Sequence, residues 1–350
     1  MRPETFIILS PGFAANEADT TCLPAQQLFI KLLKEKCPSL NIIVLAFQYP
    51  FTASEYDFHN CRVIAFGGKG RSKFFRLLLW RSIWKKLKKL NKENNITGLL
   101  SFWCGEAALI GNRFGKKYQI KHHCWILGQD AKKENKYVRR IKPSSMELIA
   151  LSDFIQKEFE KNHHIKPQQV IPIGVDPDEF PEQNITRDID VLGVGSLIPL
   201  KQYDVFIEII SRLNQELPPV KAMICGKGQE ENKLKQLIIK YSLQDDLLLA
   251  GELPHDKVLQ LMKRSKVFLH TSNYEGFGAV CIEALYAGTP VISFCKPMNE
   301  LIPHWHIVQT KEDMIQKAID ILKNPSVEYN PVMPYTMQET VERVMQLFGK

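Results

Sequence analysis

Residues 271–294 read TSNYEGFGAVCIEALYAGTPVISF, and this stretch decides the fold. The apolar run at 267–270 before it suits a buried strand, and 291–294 suits the next one. Gly276 and Gly278 flank Phe277, so the backbone there can turn tightly and lie close to a ligand. Residues 279–287 are good helix formers, and Gly288 with Pro290 ends the helix. A strand that passes through a Gly-rich loop into a helix N-terminus presents unpaired amides to an anion. Glu275 and Glu283 bracket that turn. Carboxylates repel phosphate, so these two suit hydroxyl groups, as on a ribose or a hexose. Amides for phosphate and carboxylates for sugar hydroxyls together suggest a nucleotide-sugar pocket.

Working outward, strand patterns at 190–194, 220–225 and 247–250 alternate with helical ones at 203–217, 230–241 and 256–264. The first half repeats the alternation. Strands are expected at 5–10, 42–47, 62–66, 96–102, 119–127 and 147–151, and helices at 26–36, 105–114 and 153–161. The segment PIGVDPDEFPEQNITRD between the halves is rich in Pro and Asp and lacks apolar periodicity, which marks a domain boundary. Strand–helix alternation on both sides predicts an α/β protein of two doubly wound, parallel, Rossmann-like domains. Ligands of such sheets bind beyond the carboxyl ends of the strands, so two domains face to face would share a cleft. The expected domains are 1–175 and 186–335, with a closing helical segment at 336–350.

Composition narrows the class. The 350 residues are 45% hydrophobic and carry a net charge of +8, as an ordinary two-domain globular chain does. Eight cysteines are scattered without a CxxC pair, which reads as buried thiols in a reducing compartment and gives no zinc site. No run approaches the ~20 apolar residues of a membrane helix. The expected location is the cytoplasm, including a peripheral position on the inner face of a membrane.

Residues Arg71–Lys92 form a helical run of lysines and arginines without an acid. Trp80, Ile83, Trp84, Leu87 and Leu90 fall on one face, and Arg81, Lys85, Lys88, Lys89 and Lys92 on the opposite one. A helix covering the sheet with a solvated outer face explains this. So does a surface that adsorbs to anionic lipid. Nucleic acid is not expected, because no aromatic platform or groove-reading motif accompanies the charge.

Three further places carry chemistry. Lys201 follows the turn in VLGVGSLIPLK, where a lysine can reach a pyrophosphate or simply sit in solvent. Gly195 and Ser196 lie in that turn, and Gly226 in the similar MICGKGQEE. His122, His123 and Asp130 fall in KHHCWILGQDA at the end of a first-domain strand. Adjacent histidines on a strand point to opposite faces, so both suit structural roles, whereas Asp130 lies just past the strand end.

The segment EGFGAVCIEALYAGTPV resembles the signature of the family-four glycosyltransferases, retaining enzymes of the GT-B fold. The match is the E-x7-E pair Glu275 and Glu283, with GFG inside and G-x-P-V at the end. ALSDFIQKEF, PIGVDPDEF, VGSLIPLK, ICGKGQEE and GELPHDKV follow the family's order, so the resemblance covers roughly residues 145–295. It implies that Glu283 holds ribose hydroxyls, that Glu275 faces the transferred sugar, and that amides around Phe277, Gly278 and Ala279 cradle the diphosphate while Lys201 neutralises it. Gly195, Ser196, Gly226 and Gly276 complete the implied donor site. The family often has an arginine where this chain has Ser196, and a first-domain histidine where it has Gly128, Gln129 and Asp130. The first domain then binds the acceptor, with Gly12 and Phe13 on the acceptor-side loop, and the closing helix crosses back to it.

The resulting expectation is transfer of a hexose from a UDP- or GDP-sugar to a saccharide or lipid-linked acceptor in cell-surface glycan synthesis, with retention. Glu275, Lys201 and Asp130 are the candidate catalytic residues. Neither metal nor other cofactor is expected, since helix amides and a lysine supply the charge that a metal would. The competing readings are an epimerase or phosphorylase of the same fold and a catalytically silent, membrane-associated nucleotide-sugar scaffold. A nicotinamide-dependent oxidoreductase lacks its strand-linked GxGxxG here.

Overall fold

A computed structural model describes residues 2–70, 73–181 and 186–350. The chain divides into two compact units, one formed by Met1–Gly174 with Met337–Lys350 and the other by Val175–Thr336.

The first unit contains, in chain order, β1 (Glu4–Gly12), α1 (Pro24–Lys36), β2 (Asn41–Tyr49), β3 (Ser54–Phe58), β4 (Cys61–Ala65), α2 (Lys73–Glu93) and β5 (Asn95–Phe102). It continues with α3 (Glu106–Tyr118), β6 (His122–Ile126), α4 (Lys136–Ile141), β7 (Leu148–Ala150), α5 (Asp153–His163) and β8 (Gln169–Val170). The sheet order is β3-β4-β2-β1-β5-β6-β7-β8. Its central strands are apolar on both faces because helices cover both, and Ile7, Leu9, Ile43, Leu45 and Leu99 are buried to 4% exposure or less. Each such side chain contributes roughly 1.5–3 kcal/mol relative to an exposed one.

The sheet departs from the all-parallel expectation at one edge, where β3 pairs antiparallel with β4. The SEYDF run carries acids at alternate positions and so lacks the apolar signal of a buried strand. Its turn, His59-Asn60, has φ of 45° and 59° at the two residues, the positive-φ pair by which a two-residue hairpin turn matches the right-handed twist of its strands. The expected strand at 119–127 is also shorter. Gln119 adopts φ 56° and caps α3, which reaches Tyr118, so β6 starts only at His122.

In α2, Ile83, Leu87 and Leu90 are buried against the sheet, while Arg81, Lys85, Lys88, Lys89 and Lys92 are exposed. The N-terminal half of this helix adds a feature that projection from Trp80 onward missed: Phe74, Phe75, Leu77 and Leu78 are all exposed, Phe74 by 67%. Arg71 and Ser72, at the start of the basic run, lie outside the described residues.

The second unit contains β9 (Ile189–Val194), α6 (Tyr203–Glu216), β10 (Ala222–Cys225), α7 (Glu231–Lys240), β11 (Leu247–Gly251), α8 (His255–Lys263) and β12 (Ser265–His270). After these come α9 (Ala279–Tyr286), β13 (Val291–Ser293), β14 (Trp305–Ile307) and α10 (Lys311–Lys323). All six strands are parallel in the order β11-β10-β9-β12-β13-β14. The order reverses between β9 and β12, the kind of switch point where ligands of open α/β sheets bind. Arg187 secures the opposite end: its guanidinium donates to Ser265 O, to Ala287 O at 2.8 Å and to Thr289 Oγ1 at 2.8 Å, and it stacks 4.1 Å from the Tyr329 ring centroid.

The last helix, α11 (Met337–Gln346), belongs to the first unit. Glu342 pairs with Lys36 of α1, and Phe348 stacks edge-on against Phe6 at 4.7 Å between centroids.

Candidate functional site

At the carboxyl end of β12 the chain leaves the sheet through residues 271–278 and enters α9. Gly278 caps that helix at φ 81°, a conformation that costs glycine nothing and other residues about 1 kcal/mol or more. Phe277 is buried beside Trp305 and Tyr335, so its backbone is held while its ring fills the core. The first amides of α9 therefore point out from a fixed turn.

Beside this turn lie the end of β9 and the residues that follow it. Lys201 closes a short 3-10 turn (Pro199–Lys201), and Thr271 Oγ1 donates to the Lys201 carbonyl at 2.7 Å. The lysine ammonium pairs with Glu275 Oε2. His270 Nε2 lies 3.3 Å from the same oxygen. Burial disfavours a charged Glu275, but the His270 contact and the Lys201 charge outweigh it and bring its carboxyl down to about 2. Burial also lowers the pKa of His270, so this imidazole is neutral at physiological pH. The cluster is thus an ammonium, a carboxylate and a neutral ring. Sequence reading singled out the first two. His270 escaped it because a histidine ending an apolar strand carries no distinguishing spacing.

Gly195 and Gly226 directly follow β9 and β10, side by side. The Gly195 amide donates to Cys225 O at 2.9 Å, and the Gly226 amide to Gly251 O at 2.7 Å. A Cβ on Gly226 would lie 1.9 Å from the Gly195 carbonyl oxygen, so the two loops can approach this closely only with glycine there. Ser196 is exposed just beyond.

Glu283 sits one helical turn into α9. Its Oε1 is 3.1 Å from His255 Nε2 at the start of α8, and His255 Nδ1 is 3.6 Å from Glu179 Oε2. Burial pulls the His255 pKa down, but its bonds to Glu179 and Glu283 prevail and lift it to about 10, so the ring is an imidazolium. Neither His255 nor Glu179 was singled out in the sequence, although both occur in quoted segments, GELPHDKV and PIGVDPDEF. Their relation to Glu283 spans 28 and 104 positions and exists only in three dimensions.

The first-unit candidates behave differently. Asp130 accepts from the amides of Cys104 at 2.7 Å, Gly128 at 2.8 Å and Leu127 at 3.2 Å. Burial lifts its carboxyl to about 6, although those amides favour the charged form. These bonds tie the loop after β6 to Cys104, which follows β5. Gly12 ends β1, and Phe13 is fully buried with its ring 4.9 Å from that of Phe58, so this position offers a ligand backbone and no ring. His122 is buried with Nε2 2.9 Å from Ser101 Oγ, and His123 stacks on Phe348. Among the described residues no group of His, Cys, Asp and Glu is arranged to hold a metal ion. No helix among them is long and apolar enough to cross a membrane.

Two α/β units, the second wholly parallel with its candidate residues at the strand ends, define a protein of the GT-B fold. Residues 175–332 match the family model described as glycosyl transferases group 1, and the second unit belongs to that family. The chain is 29% identical over 203 residues to the phosphatidylinositol N-acetylglucosaminyltransferase gpi3 subunit of Schizosaccharomyces pombe, an alignment covering 56% of this chain and 44% of that one. The chain therefore spans less than half the length of this curated relative. Among solved structures it is similar to sucrose-phosphate synthase from Thermosynechococcus elongatus, with TM-score 0.71, 16% identity and coverage of 99% and 95% of the two chains. It is also similar to HepE of Anabaena in complex with UDP and glucose, with TM-score 0.68, 16% identity and coverage of 98% and 95%.

Proposed function

We propose that this chain transfers a sugar from a uridine diphosphate donor to a lipid-linked or saccharide acceptor, with retention at the anomeric carbon. The observation that carries the reading is the Lys201–Glu275–His270 cluster beside the N-terminus of α9. Departure of a nucleoside diphosphate gathers negative charge on its phosphates. Fixed amides and an ammonium already in place stabilise that charge without reorganising during the reaction. In this reading Lys201 turns from Glu275 toward the diphosphate when the donor binds, and Glu275 then faces the hydroxyls of the transferred sugar. Glu283 accepts from the ribose hydroxyls. Asp130 serves as the anchor of its loop rather than as an acid or base. The first unit takes the acceptor.

N-acetylglucosamine is the first sugar to test, because the gpi3 subunit is named for its transfer and HepE was solved with UDP and glucose. The exposed Phe74, Phe75, Leu77 and Leu78, followed along α2 by exposed lysines, favour a membrane-borne acceptor, since apolar side chains beside cations suit an anionic lipid surface.

The test is a thermal-shift panel of UDP, GDP, ADP and their sugars, because a ligand that binds only the folded state raises Tm by mass action. UDP-N-acetylglucosamine should give the largest shift, and NMR of the product made with an alkyl-glycoside or lipid acceptor should show the anomeric configuration retained. A panel without any shift, or an inverted product, would refute the reading.

A further inference from the structure

Glu283 has two carboxylate oxygens, and the structure uses them unequally. Oε1 is engaged by His255 Nε2 at 3.1 Å, and the far side of that ring is held by Glu179 at 3.6 Å. Glu179 is itself placed by the short turn Pro177–Glu179, whose N-cap Asp176 accepts from the Asp178 amide. The three side chains come from separate segments of the second unit: the turn after its first residues, the start of α8 and the middle of α9. Each is mostly shielded from solvent, with side-chain exposures of 27%, 18% and 13% for Glu179, His255 and Glu283.

A carboxylate left alone on a helix rotates about its side-chain torsions and spreads its acceptor directions. A donor fixed at one oxygen stops that rotation and aims the other. A ring held from both sides is a better fixture than a lysine, whose flexible stem would move with the partner. The two carboxylates share one positive charge, so the set keeps a net negative charge, which suits hydroxyl donors and excludes phosphate.

Resting on the assignment of Glu283 to the donor ribose, we infer that His255, backed by Glu179, is the positioning residue of the nucleoside pocket. It clamps Oε1 of Glu283 so that Oε2 meets the vicinal ribose hydroxyls. The selectivity for a ribonucleotide over its 2′-deoxy analogue then depends on a residue that does not touch the nucleotide. Charge-assisted hydrogen bonds are roughly twice as strong as neutral ones, so weakening the clamp should reach the ligand through Glu283.

The experiment is calorimetric titration of UDP and 2′-deoxy-UDP, and of GDP and 2′-deoxy-GDP, into the full chain and its His255→Gln, Glu179→Gln and Glu283→Gln variants. Wild type should prefer the ribonucleotide. His255→Gln should lose roughly tenfold in ribonucleotide affinity and most of the preference while losing less for the deoxy analogue, which keeps only the 3′-hydroxyl and whose remaining binding shows that the pocket is folded. Glu179→Gln should shift in the same direction by less. A His255→Gln protein, or a Glu179→Gln protein where the former does not fold, with unchanged ribonucleotide preference overturns the inference. Wild type that binds UDP but ignores the 2′-hydroxyl instead overturns the assignment of Glu283. Wild type that binds neither diphosphate overturns the donor reading as a whole.

Discussion

Glu275 Oε2 and His270 Nε2 lie 3.3 Å apart across the loop that joins β12 to α9, and the Lys201 ammonium closes on the same oxygen. A single oxygen of a half-buried carboxylate thus gathers contacts from the end of β12 and from the turn that follows β9. The geometry explains why the carboxyl stays ionised where burial alone would protonate it.

Glu275 should make stability sensitive to acid. Its folded pKa, about 2, is below the ordinary 4.5, so its contribution is complete above about pH 4.5 and lost as pH falls toward 2. Urea unfolding between pH 5 and pH 3 should show a smaller loss in Glu275→Gln than in wild type. Equal losses would place the acid sensitivity elsewhere.

His255 should act in the opposite direction. Its folded pKa, about 10, is above the ordinary 6.5, so its contribution is complete below about pH 6.5 and lost as pH rises through 10. Thermal unfolding at pH 7 and pH 10 should show a drop in Tm for wild type that His255→Gln lacks.

Lys201→Ala should weaken UDP binding by roughly tenfold or more, because an ammonium at a diphosphate contributes a charge-assisted bond of about 1.5–3 kcal/mol. Uridine, which carries no phosphate, should bind both proteins alike in titration calorimetry. Equal losses for both ligands would show a collapsed pocket instead.

Gly226→Ala should destabilise the second unit by about 1–3 kcal/mol, the usual cost of overpacking, since the added methyl would lie 1.9 Å from the Gly195 carbonyl oxygen. Arg187→Ala should cost a similar amount by leaving the acceptors Ser265 O, Ala287 O and Thr289 Oγ1 without their shared donor. Both are read from chemical denaturation.

Co-sedimentation with vesicles should depend on anionic lipid and fall with salt. Replacing Phe74 and Phe75 by Ser should weaken it, because both rings are exposed. Equal binding to neutral vesicles would argue against an electrostatic surface on α2.

The alternation of apolar runs with 3.6-period segments was enough to determine two α/β units, because buried parallel strands and amphipathic helices leave strong local patterns. The stretch 271–294 by itself determined the glycine turn, the helix after it and the pair Glu275 and Glu283. Local pattern failed where the physics was not local. The β3 hairpin is polar on alternate residues and lies at an edge, so it lacks the signal of a buried strand. Asp130 accepts from the neighbouring Leu127 and Gly128 amides and also from Cys104, 26 positions away, and that long-range bond leaves no mark in the sequence around it. Only the tertiary structure brought Lys201 and His270 onto one oxygen of Glu275, and Glu179 and His255 behind Glu283. Parallel sheets explain this division, because each strand delivers its loop to the same edge, and residues tens of positions apart meet there without leaving a mark in the sequence between them.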